Sequence, residues 1–490
     1  MIPMGLRDVA DAVGAVLAAG CEAVSVTGVS IDSRTTRPGD LFVAVPGQRF
    51  DGHDFVRHAV ESGAVAYLCR RDRENDPQIC PAVPGLLVDD TVEALGRLAA
   101  WYRRKVMRPG TVVVAVTGSN GKTTTKRMLD HVLSGALKGR ASPKSYNNKI
   151  GVPLTLLSAE AEDRYVVTEI GTNARGEVAA LAAIAAPDVG VITSIGEAHL
   201  EGLGDIRDVA AEKVSLLHGV RAHGFAVVNV DRAEILPCLE QAWPLRIVTV
   251  GLSPKAKLPV RNVHVELRRT SCDVGDRYRL RVPVPGAHHA CNAAAVFVVA
   301  RWFGMAPVEI TARLRTFSPG DGRAKPIRCG DATVVDDSYN ANPSSVLAAV
   351  DTLGRVAPAG RVLVMGDMLE LGSQTAALHR RMIEEVFRAG IETLVAVGPR
   401  TLEAVQALGG AAGSTRVVPC ENAEAAGAAL AALLRPGDVV WVKGSRAMEL
   451  DRVVEVLAER SRWNPRGPRT PGPAKGAGAK GGKRVSRSLA

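Results

Sequence analysis

Short apolar runs alternate with longer amphipathic stretches through most of the 490 residues, and the period of each run predicts its element. Residues 24–31 alternate with period two, Pro38-Gly39-Asp40 marks a turn, and 41–45 and 64–69 are further apolar runs. Helical periodicity over 92–104 is stopped by Arg108-Pro109-Gly110, where a domain boundary is expected. From Thr111 onward, strands are expected over 112–116, 165–169, 189–195 and 225–229, with helices between them over 122–133 and 178–186. Such alternation predicts a parallel sheet covered on both faces, with the ligand site at the C-terminal ends of its strands. Residues 263–267 and 278–282 read as hairpin strands, followed by a long helix over about 290–303.

Ser, Pro and Gly over 316–323 precede a second alternating series. Its strands are expected over 333–336, 361–365, 393–397 and 439–442, with helices over 344–356 and 376–389. The pattern therefore predicts an α/β protein of three domains, 1–108, 109–317 and 318–460. From 461 to 490 Pro, Gly, Lys and Arg dominate without apolar periodicity, so that tail is expected to be disordered. No internal repeat of fixed period appears.

Charge changes this picture little. The formal net charge is +10, but the last thirty residues hold eight Lys or Arg and no acid. The rest is nearly balanced, at 53 basic and 51 acidic residues, and gives no reason to invoke nucleic acid. Only the tail could hold nucleic acid or an anionic membrane surface, and weakly. The eight cysteines (Cys21, Cys69, Cys80, Cys238, Cys272, Cys291, Cys329 and Cys420) form no C-x-x-C pair, which suits reduced thiols in a cytoplasm. Arg7, Asp8 and Asp11 interrupt the N-terminus, so no signal peptide is expected. No uncharged apolar stretch is long enough for a membrane span.

The densest chemistry lies at 117–125, Thr-Gly-Ser-Asn-Gly-Lys-Thr-Thr-Thr, directly after the apolar run 111–116. A strand, a glycine-rich turn and Lys-Thr opening a helix make a phosphate cradle. The glycines let successive N–H groups point inward, and the helix adds its positive end. Lys122 offers a point charge to the β/γ-phosphates and Thr123 a hydroxyl to Mg²⁺. Val116 stands where G-x-x-x-x-G-K-[ST] would have its first glycine, so this is the shorter G-x-x-G-K-T form. The cradle alone fits kinases, GTPases, motors and ligases. Glu169 and His199 follow strand runs and could reach metals at the phosphates. Taken singly, Glu169 reads equally as a loop acid and His199 as a structural histidine.

Eight strings carry a family resemblance: DSRTTRPGDLFVAVPGQRFDGHDF (32–55), TGSNGKTTT (117–125), SYNNKIGVPLTLL (145–157), TEIGTNARGE (168–177), GEAHLEGLG (196–204), DDSYNANPSS (336–345), MGDMLELG (365–372) and VKGSRAME (442–449). Together they resemble the Mur ligases, the ATP-dependent amide-forming family of peptidoglycan synthesis. NNKIGVPLTLL, DSYNANP and GDMLELG are similar to the branch that adds D-alanyl-D-alanine. The resemblance implies a central P-loop-type parallel sheet flanked by an N-terminal UDP-binding α/β domain and a C-terminal Rossmann-like α/β domain. It implies ATP, two Mg²⁺ sites, UDP-N-acetylmuramoyl-tripeptide and D-alanyl-D-alanine as ligands, and a cytoplasmic monomer.

The same resemblance implies roles residue by residue. Thr117, Gly118, Ser119, Asn120, Gly121, Lys122, Thr123 and Thr124 would hold ATP, with Asn292 at the adenine and Arg323, Asp337, Tyr339, Asn340 and Asn342 closing from the third domain. Lys122, Glu169, His199 and Lys213 would be catalytic, with Thr123, Glu169, His199 and Lys213 around the metals. Lys213 matches a lysine that is carbamylated in several members; by itself it reads as a solvated helix lysine. Ser33, Arg34 and Gly47, with the Asp51-Gly-His53 turn, resemble the uridine-diphosphate site. Asn147, Asn148 and Thr155 would face the muramoyl peptide, and Lys443, Ser445 and Arg446 the dipeptide or acyl substrate.

Three rivals remain to be weighed. The ligase that adds the third amino acid carries an Asp-Asn-Pro-Arg motif in its last domain, and none occurs here. A folylpolyglutamate synthetase would not explain the UDP-site resemblance of the first hundred residues. A non-catalytic nucleotide-binding scaffold would not explain Lys122, Thr123, Glu169, His199 and Lys213 together.

Overall fold

The structure is a computed structural model that describes residues 1–462 apart from 48, 75, 77, 78, 80, 81, 241–244 and 410–412. Most of the expected disordered tail, and Cys80, lie outside the described residues. The last helix runs on to Arg462, past the expected end of the third domain at 460.

The N-terminal body opens with β1 (Met4–Gly5), α1 (Leu6–Val13) and β2 (Ser25–Val26), the two strands pairing antiparallel. A parallel sheet follows in the order β3 (Gly28–Ser30), β4 (Asp40–Val43), β5 (Ala66–Arg70) and β6 (Gly85–Val88), with α2 (Val56–Glu61) and α3 (Thr91–Lys105). The single strand expected over 24–31 is in fact two. β2 serves the small sheet and β3 the larger one, because the Thr27 N–H turns to Gly39 O between them. Period-two alternation cannot show where a strand changes sheets. α3 starts where Asp90 accepts from the N–H groups of Val92 and Glu93, an N-cap that satisfies otherwise orphaned donors. It packs on α1 and on two central helices, so it belongs to the cores of both bodies.

The central body carries β7 (Val112–Thr117), α4 (Lys122–Leu133), β8 (Gly139–Ala141), α5 (Gly151–Leu157), β9 (Tyr165–Glu169), α6 (Glu177–Ala185) and β10 (Val189–Ile192). After α7 (Leu200–Leu203) and α8 (Ile206–Val214) come β11 (Phe225–Asn229), α9 (Leu236–Glu240), β12 (Arg246–Gly251), β13 (Leu258–Glu266), β14 (Arg269–Val274), β15 (Tyr278–Val282), α10 (His288–Trp302) and α11 (Pro307–Arg315). Among the described residues these make a nine-stranded sheet in the order β15-β14-β13-β12-β11-β10-β7-β9-β8. It is parallel from β8 to β13 and antiparallel beyond. β7 and β9 are buried on both faces, as their unbroken Val-rich runs require. The hairpin expected between 263–267 and 278–282 is corrected to a three-stranded meander. β14, whose Arg269, Thr270, Ser271 and Asp273 hid it in the pattern, lies between the two.

The third body has β16 (Lys325–Cys329), β17 (Ala332–Asp336), α12 (Pro343–Val356), β18 (Arg361–Gly366), α13 (Thr375–Arg388), β19 (Thr393–Val397), α14 (Pro399–Leu408), β20 (Arg416–Cys420), α15 (Ala423–Leu433), β21 (Val439–Lys443) and α16 (Asp451–Arg462). Its sheet order is β16-β17-β21-β18-β19-β20, parallel except for β16. The expectation named neither edge strand, and each carries a proline, Pro326 or Pro419, which a sheet tolerates at an edge. No helix among the described residues is long and apolar enough to cross a membrane. The seven described cysteines are free.

Candidate active site

The phosphate loop spans the four residues from Thr117 at the end of β7 to Lys122 at the start of α4. Gly118 and Gly121 sit at φ +143° and +82°, conformations that disfavour side chains, and a Cβ on Gly118 would meet Thr193 Oγ1 at 2.1 Å. The segment after β10 braces the loop. Ser119 N–H donates to Ser194 O (2.9 Å), Ser119 Oγ to Gly196 O (3.0 Å), and Asn120 N–H to Ser194 Oγ (2.9 Å). This corrects the expected strand 189–195, which stops at Ile192 because residues 193–196 hold the loop rather than extend the ladder. Thr117 is tied back through Oγ1 to Ile170 O (2.8 Å), and Thr124 is buried in the first turn of α4.

Lys122 folds over its own loop, with Nζ donating to Gly118 O (2.7 Å). Burial lowers its pKa, with Glu169 opposing. Thr123 Oγ1 donates to Glu169 Oε2 (2.9 Å), and Asn147 Nδ2 donates to Oε1 of the same carboxylate (3.1 Å). Asn147 thus lines the cleft beside Glu169. Arg323 donates to Thr123 Oγ1 (3.1 Å) and lies over the Tyr339 ring at 3.8 Å. The Tyr339 hydroxyl donates to Ser145 Oγ (3.0 Å). Asn120 and Asn342 exchange amide contacts (Asn342 Nδ2 to Asn120 Oδ1, 2.9 Å), and Asn120 Nδ2 reaches Ser344 Oγ (2.9 Å). Two bodies therefore face each other over one cleft of about 770 Å³.

His199 takes φ +56° at the entry to α7, and its Nδ1 lies 2.7 Å from Glu370 Oε2. This contact holds the Glu370 carboxyl below the usual range. Lys213, on α8, is fully buried and its Nζ has no hydrogen-bond partner among the described residues. Burial, followed by the Lys122 charge, pushes it well below an ordinary lysine. It is not the solvated helix lysine that its local sequence suggests. Among the described residues no three His, Cys, Asp or Glu side chains converge on a metal position. The hydroxyl–carboxylate pair of Thr123 and Glu169 still suits Mg²⁺, which takes a few protein oxygens and fills its shell with water and phosphate.

At the far end of the cleft, buried Asn292 stands beside Gly121, and buried His289 lies with its ring 4.0 Å from that of His288. On the third-body wall, buried Lys443 pairs with Asp337 Oδ2 (2.8 Å) and donates to Asn340 O (3.0 Å). Ser445 Oγ accepts from the Leu369 N–H (2.9 Å). Arg446 pairs with Asp451 (2.8 Å), yet still lines the cleft.

A second cavity of about 1300 Å³ separates the N-terminal sheet from α5 and the segment before it. Ser33 and Arg34 line it, Arg34 pairing with Asp32 at 2.6 Å. The other residues expected on the substrate side also make contacts within the fold. The Gly47 N–H closes a turn onto Phe50 O (3.0 Å). His53 is fully buried, held between Asp51 and the Arg70 N–H (3.0 Å to Nε2), while Gly52 of the same turn lines the second cavity. Asn148 Oδ1 accepts from the N–H groups of Ile150 and Gly151, at the start of α5. Thr155 is buried, its hydroxyl spent on Gly151 O (2.7 Å). Local turn and capping chemistry claimed these groups.

The sequence reading missed Lys126, Glu370 and Arg381. Lys126 is a second buried lysine one turn after Lys122, 3.7 Å from Glu169. Arg381 on α13 grips Glu197 with two nitrogens (3.0 and 2.6 Å). An arginine on one surface helix gives no local sign of a partner 184 residues away.

Family models match three stretches: the Mur ligase family catalytic domain over 25–103, the Mur ligase middle domain over 116–300, and the Mur ligase glutamate ligase domain over 322–446. The chain is 34% identical over 443 residues to the UDP-N-acetylmuramoyl-tripeptide–D-alanyl-D-alanine ligase of Escherichia coli (strain K12), covering 89% of this chain and 94% of that one. It is 31% identical over 472 residues to the Bacillus subtilis (strain 168) protein of the same name, covering 94% and 99%. It superposes on a crystal structure of MurF from Acinetobacter baumannii with a TM-score of 0.84 and 28% identity, covering 93% of this chain and 99% of that one. A MurF ligase from Thermotoga maritima in complex with ADP gives 0.77 and 26%, covering 89% and 98%.

Proposed function

The chain belongs to the Mur ligase family, and from that premise we propose that it joins D-alanyl-D-alanine to UDP-N-acetylmuramoyl-tripeptide with hydrolysis of ATP to ADP and phosphate. The observation that carries the reading is the Lys122–Thr123–Glu169 cradle with Arg323 of the third body closing on Thr123.

A carboxylate repels nucleophiles, so the amide bond needs an activated acyl group. A carboxylate oxygen of the tripeptide attacks the γ-phosphorus, and the bond to the β-γ bridging oxygen breaks, releasing ADP. The dipeptide amine then attacks the acyl carbon of the acyl phosphate. Phosphate leaves and the nitrogen loses its proton. Both steps gather negative charge, so positioning and neutralisation supply most of the catalysis.

Lys122 and Arg323 bring positive charge from opposite walls, and Arg323 can grip phosphate oxygens with two nitrogens. The start of α4 adds its positive end to the same side of the cleft. Thr123, Glu169 and His199 would hold Mg²⁺, which when bound would offset charge on the phosphates. Asn292 fits the adenine end, Asp337 and Asn340 the third-body face of the nucleotide, and Lys443, Ser445 and Arg446 the dipeptide or acyl substrate. The second cavity, with Ser33 and Arg34, fits the nucleotide sugar.

A carbamate on Lys213 accords with its burial and lack of a partner, since the neutral amine is the form that attacks CO₂. Supplying ¹³C-bicarbonate should give a carbamate carbonyl resonance that Lys213→Arg lacks; equal spectra would remove the carbamate. For the reaction itself, phosphate release from ATP is measured with the UDP-linked tripeptide and D-alanyl-D-alanine, singly and together. Release that requires both supports the reading. Its absence with both present, in folded protein, sinks it.

A further inference from the structure

Lys126 lies on α4 one turn beyond Lys122, with its side chain only 2% exposed. A buried ammonium is expensive unless its protons are used. Here Nζ donates to Ser142 O (2.8 Å) and to Lys144 O, and stands 3.7 Å from Glu169 Oε2. Both carbonyls belong to the segment between β8 and α5. Within that segment Lys144 holds φ +46°, a conformation that a residue with a side chain keeps only when its surroundings hold it there.

The segment is a wall shared by the two cavities. On the cleft side Ser145 lies 3.4 Å from Thr123 Oγ1 and accepts from Tyr339, and Asn147 donates to Glu169. On the other side Arg140, Pro143 and Tyr146 line the N-terminal cavity. One ammonium thus pins, from the interior, the strip of backbone that both cavities touch.

We propose that Lys126 is a positioning residue: it fixes segment 142–147 so that Thr123, Glu169 and the reacting end of the acyl substrate meet in register. Its ammonium is buried beside Glu169 and acts through the backbone it holds. The inference rests on the ligase reading for its reaction, but not for its geometry.

The test compares Lys126→Met, of similar length without donors, with Lys126→Arg, which keeps donors and charge. Amide hydrogen exchange is followed on the full-length protein without substrates, and kcat and KM are measured for each substrate. In folded Lys126→Met, exchange over 142–147 should rise at least ~10-fold. Its kcat should fall about 100-fold, the scale of a small misplacement of reacting groups. KM for the UDP-linked tripeptide should rise while KM for D-alanyl-D-alanine holds within about twofold, since the segment lines the second cavity, whereas the dipeptide side lies on the third-body wall of the cleft. Lys126→Arg should recover most of the protection and turnover.

Unchanged exchange in Lys126→Met, with turnover either kept or lost, would overturn the proposal, as would raised exchange with wild-type kcat. Should Lys126→Met fail to fold, Lys126→Leu, which also lacks donors, carries the same comparison. Wild-type protein inactive on the named substrates would sink the ligase reading, while the exchange data would still decide whether Lys126 holds the segment.

Discussion

The central body meets its two neighbours in different ways. Toward the N-terminal body, α3 lies against α5 and α6, and its Leu95, Leu98, Ala99 and Tyr102 are fully buried. Gly96 lets the helices approach until a Cβ there would stand 3.2 Å from Ile184 Cδ1. The polar groups at this junction are buried and satisfied. The Tyr102 hydroxyl donates to Ala159 O (2.7 Å), and Arg103, 4% exposed, pairs with Asp188 (2.6 Å) and reaches Ala186 O. Toward the third body α12 leans on β13, and beside the cleft most links are side-chain pairs, Asn120 with Asn342 and Ser344, Arg323 with Thr123, Tyr339 with Ser145, and Arg381 with Glu197, joined by a backbone bond from the Glu201 N–H to Glu370 O (3.2 Å).

The difference is energetic. Exposing an apolar interface costs roughly 25 cal/mol per Å² of apolar surface. Polar pairs that open onto water exchange one set of hydrogen bonds for another, at about 0.5–1.5 kcal/mol each. On that count the seam beside the cleft costs less to part than the α3 junction. A ligase that must admit a nucleotide and a dipeptide between two walls needs that asymmetry.

The strongest blow to the comparison would fall on the closed junction. Tyr102→Ala should destabilise the protein by about 3–5 kcal/mol, through lost ring packing and the Ala159 carbonyl left without its donor. Denaturant unfolding followed in both bodies would show it. A loss under ~1 kcal/mol would mean that α3 does not weld them. Asn342→Ala should cost about 1–2 kcal/mol, because Asn342 both caps α12 and bonds Asn120. Its further effect should be on the seam, as faster amide exchange at the start of α12 and in the phosphate loop. Arg381→Ala should cost under ~1 kcal/mol, since its partly exposed pair with Glu197 is screened. Small-angle scattering should nonetheless find the third body further out in the variant. Equal scattering curves would remove that pair from the closure.

Much of this arrangement is legible in the chain, unevenly. The phosphate loop could be read because its requirements are local: two glycines at positive φ, then Lys and Thr at a helix start. Strands buried on both faces announce themselves by unbroken Val and Ile. Edge strands with a proline, and β14 with its polar residues, do not. Asn148 and Thr155 sit in a string that resembles a binding motif, and their hydrogen bonds at the start of α5 and within it could not be read from that string.

The sequence by itself determined the alternation of strands and helices, the phosphate cradle and the family, because each depends on residues within a few positions of one another. Only the tertiary structure decided which distant groups meet. Arg323 reaches Thr123 across 200 positions and Asn342 reaches Asn120 across 222, while Lys126 turns inward to hold the wall between two cavities. Hydrogen bonds and burial act over a few ångströms of space, and chain spacing carries no record of that distance until the sheets have packed.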